Sequence, residues 1–329
     1  FNNPKIGDAF LRVPQFEALE MYIFLKEYLN NERVYRIFED WHTKAPKFKN
    51  RTDAGLQGEQ LDAFGNIASK SYEQVFKQMK AFGQIYPNYI YALSMGTGKT
   101  ILMATCIFYE FILAGKYPED KRYCHNALVF APDKTVLQSL NEIQTFPKEL
   151  VVPPQYLNWL NAYLNFHFLD DTGATLNAMD HSRYNIVISN TQKIILKQRS
   201  KNKSAQEQLL NVKISSYKAV GIHKKVEDLH GFNVIENESD LTANQRFWKL
   251  ITLSQLGIYV DEAHHAFGTK LANDMGIKTT QTSLRLTINE IAHNIEAAGS
   301  QVVGCYNYTG TPYIGKHVLP EVVYSYGLQ

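Results

Sequence analysis

The stretch Leu93-Ser94-Met95-Gly96-Thr97-Gly98-Lys99-Thr100 carries the residue types that hold a phosphate. Glycines let the backbone approach phosphate oxygens, and the N–H groups of such a loop and of a following helix face the negative charge. Lys99 would reach the outer phosphates as a point charge, and Thr100 would offer a hydroxyl to Mg²⁺. The full spacing G-x-x-x-x-G-K-[ST] is not met, because Leu93 stands where its first glycine belongs. A second stretch, Asp261-Glu262-Ala263-His264-His265, brings two adjacent carboxylates. Asp261 suits the shell of a Mg²⁺ ion, and Glu262 suits orienting or deprotonating an attacking water. Each stretch alone also reads as a plain helix start or cap. The two together point to nucleotide hydrolysis. His264 and His265 lack a third ligand at zinc spacing, which disfavours a metal centre built on them.

Elements must position these groups. Tyr89 to Leu93 is short, aromatic and aliphatic and suits a buried strand, and Thr100 to Leu113 suits a buried helix. Leu256 to Val260 is an apolar strand that would deliver Asp261 and Glu262 to its carboxyl end. Further strands are expected at 126–132, 166–169, 184–189 and 301–308. Helices are expected at 14–28, 34–41, 71–82, 135–143, 247–253 and 283–295. In the first helix Phe16, Leu19, Ile23 and Lys26 recur at helical spacing, and Gln15 falls in the first turn. That glutamine reads either as an exposed residue or as a donor–acceptor pair for an adenine edge. Strands alternating with helices predict an α/β fold with a parallel sheet, whose ligands gather at the carboxyl ends of the strands. Residues 1–88 form a helical segment with an insertion from about 30, and residues 89–329 form the sheet domain with a second insertion at about 197–250.

Several polar stretches keep two readings. Lys134 after Pro132, and Thr191 after the strand at 184–189, are plain caps or contacts to a nucleic-acid backbone. Thr309-Gly310-Thr311-Pro312 is a turn, or a sensor of the outer phosphate through His264. The run Lys197 to Lys203 is a solvated loop or a phosphate contact. Pro118-Glu119-Asp120-Lys121 reads as a loop.

The 329 residues are 45% hydrophobic and 20% charged, which excludes wholesale disorder. A net charge of +2 neither demands nor excludes a polyanionic partner. The three cysteines lie far apart with no Cys-x-x-Cys, which disfavours a disulfide scaffold and fits a reducing cytoplasm. The longest apolar run, Ile101 to Gly115, contains Glu110 and is too short to span a membrane. Phe1 rather than Met at the start suggests the ordered part of something longer.

Taken together, Gln15, the Gly96-Thr97-Gly98-Lys99-Thr100 loop, Ala131-Pro132, Asp261-Glu262-Ala263-His264 and Thr309-Gly310-Thr311-Pro312 occur in the order found in superfamily 2 helicases. The chain most resembles the helicase subunit of type III restriction enzymes. That narrower likeness rests on Leu11-Arg12-x-Pro14-Gln15 with Glu17-Ala18-Leu19, on Met95 to Thr100, and on the tail Val323 to Leu328. The resemblance implies a RecA-like lobe that binds ATP and Mg²⁺ and moves on double-stranded DNA. It implies base recognition at Arg12 and Gln15, and phosphate and Mg²⁺ binding across Met95, Gly96, Thr97, Gly98, Lys99 and Thr100. Asp261 would coordinate Mg²⁺ and Glu262 would activate water. His264, Thr309 and Thr311 would couple hydrolysis to movement, while Pro132, Lys134 and Thr191 would track a DNA backbone. A methyltransferase or specificity subunit is the implied partner. Two features depart from the family: Leu93, and the long separation of Lys99 from Asp261. The second motor lobe, with its arginine fingers, and any nuclease domain are expected outside this chain. Slow hydrolysis by residues 1–329 alone follows from that. Two rivals stand beside this reading, an ATP-gated nucleic-acid switch that does not translocate and an RNA helicase or remodeller.

Overall fold

The computed structural model of the chain describes residues 9–44, 83–131, 142–168, 183–190, 249–263, 283–311 and 321–327, with residues 3, 4, 7, 79, 80, 247, 313, 314, 317 and 318 besides. In chain order its elements are α1 (Val13–Ile23), continued by a π-helical turn at Phe24–Tyr28, and α2 (Val34–Lys44). Then come β1 (Asn88–Leu93), α3 (Lys99–Lys116), β2 (Asn126–Ala131), α4 (Pro154–Tyr163), β3 (Asn165–Phe168) and β4 (Asn185–Asn190). The last are β5 (Leu256–Val260), α5 (Ser283–Ala297), β6 (Val302–Thr309), β7 (Tyr313–Ile314), β8 (His317–Val318) and β9 (Val322–Tyr326).

Seven strands form one sheet in the order β3-β4-β2-β5-β6-β1-β9. Every neighbouring pair is parallel. β7 and β8 make a separate antiparallel pair. Every residue of β1, β5 and β6 is buried, as expected for parallel strands covered on both faces. Side chains alternate between two cores. Tyr89, Tyr91, Tyr259, Tyr306 and Tyr308 point to the side covered by α1 and α3, with Tyr22, Leu102, Cys106, Ile107 and Phe111. Ile90, Ile258, Val260 and Cys305 point to the side covered by α5, with Leu284, Ile288, Ile291 and Ile295.

The strands lie within a residue or two of their expected places. The α1 helix reaches Tyr28 only through its π turn, closed by Leu29 N donating to Phe24 O at 3.1 Å. Its buried face is Pro14, Gln15, Ala18 and Tyr22, whereas Phe16, Leu19 and Ile23 are half-buried. The helix turns its polar stripe inward because those side chains find hydrogen-bond partners on α3 and its loop. Four elements carried no expectation: α4, β7, β8 and β9. All but the last two residues of the expected helix at 135–143, most of that at 71–82, and the stretch 197–244 lie outside the described residues; residues 142 and 143 are helical, with Ile143 buried. Among the described residues, no helix is long and apolar enough to cross a membrane.

Candidate functional site

β5, β6 and β1 are consecutive in the sheet, and their carboxyl ends hold the Asp261 turn, the Thr309 turn and the glycine loop. In register, Ala92 pairs with Thr309 and Val260 with Asn307, so the three turns leave the sheet at nearly one level. The loop from Ser94 to Gly98 folds on itself, with Thr97 Oγ1 donating to Ser94 O at 2.7 Å. Gly96 and Gly98 have φ of +75° and +81°, where a side chain is strained. A Cβ on Gly98 would also lie 2.4 Å from Gln15 Nε2.

The start of α1 clamps this loop. Gln15 is buried, its Oε1 accepting from Arg12 N at 2.9 Å and its Nε2 donating to Gly98 O at 3.0 Å. Arg12 Nη1 donates to Gly96 O at 2.9 Å. A glutamine amide has two donor hydrogens and room for two acceptor contacts, and these two bonds use one of each. From the other side, Ser94 N donates to Tyr326 O of β9 at 3.2 Å. Met95 stands at the loop's outer tip, 86% exposed.

Lys99 opens α3, and its Nζ lies 3.2 Å from Glu262 Oε1. The backbone of the Asp261 turn is held on both sides. Asp261 N donates to Phe130 O of β2 at 3.0 Å, and Ala263 N donates to Tyr308 O of β6 at 2.9 Å. Glu262 takes a left-handed conformation with φ of +45°, a costly state for a residue with a side chain. Its N–H donates to Asp261 Oδ1 at 3.0 Å. Asp261 is 6% exposed. Burial, and then the charge of Glu262, push its carboxyl up to about 6; the Glu262 N–H and Lys99 pull the other way. A cation beside it would reverse that discouragement. Thr309 is buried, and its Oγ1 accepts from Thr311 N at 3.1 Å. A Cβ on Gly310 would lie 4.0 Å from Lys99 Nζ, so this turn abuts the loop.

Arg12, Gln15, Met95, Gly96, Thr97, Gly98, Lys99, Thr100, Asp261, Glu262, Thr309 and Thr311 therefore gather at one edge of the sheet. His264, Pro132, Lys134 and Thr191 lie outside the described residues. Sequence reasoning missed the bond from Ser94 to β9, although Val322-Val323-Tyr324 has strand composition. Pro118–Lys121 leads into a turn at whose end Asp120 binds Arg122, Oδ2 to Nη2 at 2.7 Å. Among the described residues no group of three or more His, Cys, Asp or Glu could hold a metal. Asp261 with the Thr100 hydroxyl is a sparse, hard oxygen set, which suits Mg²⁺ completed by water and phosphate oxygens. No protein-family model matches the chain, and no curated protein sequence matches it.

Proposed function

We propose that the chain is a RecA-like ATP-hydrolysing lobe of a superfamily 2 motor that moves on double-stranded DNA, of the kind found in type III restriction subunits. The observation that carries the reading is the meeting of Lys99 with Glu262 at 3.2 Å, from two strands with β6 between them. A cation for phosphate and a carboxylate for water converge where parallel sheets bind ligands.

In this reading Gln15 offers its free donor and acceptor to the adenine edge, and the loop N–H groups and Lys99 take the phosphates. Arrival of the outer phosphate draws Lys99 away from Glu262. Glu262 then orients the attacking water and accepts its proton. Asp261 and Thr100 would hold Mg²⁺, which when bound would neutralise charge at the phosphates. Thr309 and Thr311, packed against the loop, and His264 pass the change toward DNA held near Pro132, Lys134 and Thr191. A methyltransferase or specificity subunit is the proposed partner.

The test is ATP turnover with and without duplex DNA, for the lobe joined to the second motor lobe that this reading requires and for the same protein carrying Glu262→Gln. DNA-stimulated turnover that falls at least about a hundredfold in the variant, with ATP binding retained, supports the motor. Binding of ATP without turnover, even with DNA, supports a switch instead. Stimulation by RNA and not by DNA supports an RNA remodeller.

A further inference from the structure

A group of charged and phenolic side chains deep between α1, α3 and the sheet takes no part in that scheme. Lys26 and Glu110 are 1% and 0% exposed, with Nζ 2.7 Å from Oε1. Lys26 Nζ also donates to Arg122 O at 2.5 Å and stands 5.4 Å from the centre of the Tyr306 ring. Glu110 Oε1 accepts from Tyr22 Oη at 2.5 Å and from Tyr306 Oη at 3.4 Å, and its Oε2 accepts from Cys124 N at 2.9 Å. Tyr22 Oη lies 3.1 Å from Tyr259 Oη. Burial first, and neighbouring acidic groups after it, hold these three phenols well above their ordinary range, so they stay protonated donors.

A buried ion pair is a poor way to add stability, because an apolar pair of similar volume does as well or better. What it adds is direction: each hydrogen bond tolerates only a few tenths of an ångström and a limited angle. The place of the pair gives that direction a use. The buried stripe of α1 runs Gln15, Ala18, Tyr22 and, in the π turn, Lys26. Its first member bonds Gly98 at the start of α3, and its last bonds Glu110 three turns further along α3. At 1.5 Å per residue the two spans are about 16 Å on α1 and about 18 Å on α3, so the helices run side by side, joined at both ends. Between the joints Ala18 is buried in the same apolar cluster, and Tyr22, next to the second joint, bonds Glu110 as Lys26 does.

We propose that Lys26 and Glu110 are positioning residues for base selection: their pairing fixes where α1 sits along α3, and so fixes the Gln15 amide against the glycine loop. The proposal rests on the reading of that loop as an ATP site. A slide too small to disturb the apolar packing would still misplace the donor and acceptor of Gln15.

The test uses the whole 329-residue chain and the variant Lys26→Met/Glu110→Gln. Methionine fills the length of the lysine, and glutamine keeps one acceptor oxygen, for Tyr22 and Tyr306, while its NH2 takes the place of the oxygen that faced Cys124 N and both charges go. Binding of fluorescent ATP and GTP analogues with Mg²⁺ is followed by anisotropy, beside a thermal melt. The parent is expected to prefer ATP. In the variant ATP affinity should fall about tenfold, the effect of one misplaced hydrogen bond, with GTP affinity unchanged and the melt still cooperative though lowered by the loss of the acceptor for Cys124 N. A folded variant that keeps the preference, or that weakens both nucleotides equally, overturns the proposal. Should the double variant not fold, Glu110→Gln alone removes the charge pairing with Lys26; a drop in preference for ATP supports the proposal, and an unchanged preference overturns it. A parent that binds neither nucleotide defeats the ATP-site reading itself. A parent that binds both equally defeats only the role given to Lys26 and Glu110.

Discussion

At the residue scale, Asp261 pits stability against a site able to hold a cation. Folded, it keeps its proton up to about pH 6, whereas the ordinary value is 3.8. Between those values the folded state binds the extra proton, so stability falls as pH rises and levels off above pH 6. The loss amounts to roughly 3 kcal/mol at most. Asp261→Asn is therefore expected to melt higher than the parent at pH 7, without nucleotide or Mg²⁺, and the gap should close toward pH 4. Melting curves across that range measure it, and a gap independent of pH would contradict the assignment. Gly98 makes a second demand. Its φ of +81° and the approach of Gln15 Nε2 leave no room for a methyl group. Gly98→Ala should cost roughly 1–2 kcal/mol of strain and displace the glutamine. Titration with a fluorescent ATP analogue should then show binding weakened at least about tenfold, the factor that 1.4 kcal/mol represents.

At the scale of elements, the buried phenols depend on two glycines. Gly257 of β5 and Gly304 of β6 are partners in register. A Cβ on Gly304 would lie 2.7 Å from Tyr306 Oη, and one on Gly257 would lie 3.0 Å from the Tyr259 ring and 2.9 Å from Cys124 Sγ. Gly304→Ala should lower stability by roughly 1–3 kcal/mol through overpacking, read as a reduced denaturation midpoint at unchanged slope. The strands themselves were legible in the sequence because strands covered on both faces are written as continuous apolar runs. Lys99, Asp261 and Glu262 were legible as a candidate cluster because phosphate chemistry would call for those types at strand ends, and the structure brings Lys99 to Glu262. The inward face of α1 was not, since Gln15 and Tyr22 are buried for partners on another element and periodicity counts only apolar residues. Lys26 and Glu110 each look like a flaw in an apolar pattern, and nothing in the linear sequence ties one to the other. α4 had a readable start at Pro153-Pro154, proline being suited to a first helical turn. β9 is short, and its place beside β1 is a matter of topology.

For the whole molecule, strand order governs how much of the chain the fold requires. β5 and β6 lie between β2 and β1, although both come later in the chain. A chain ending at residue 255 would have β1 and β2 and nothing to join them. It should show no cooperative thermal transition by circular dichroism, whereas the full chain should; a cooperative melt of the shorter chain would contradict this. The same order has a consequence in time. On a ribosome, β2 is finished about 125 residues before β5 can pair with it, which at about 5–20 residues per second is roughly 6–25 s. For that interval an apolar strand waits with an open edge, the kind of surface on which chains associate. The yield of this protein in a living cell is thus a race between elongation and self-association, decided before the sheet exists and sensitive to growth temperature and to chaperones that hold nascent chains.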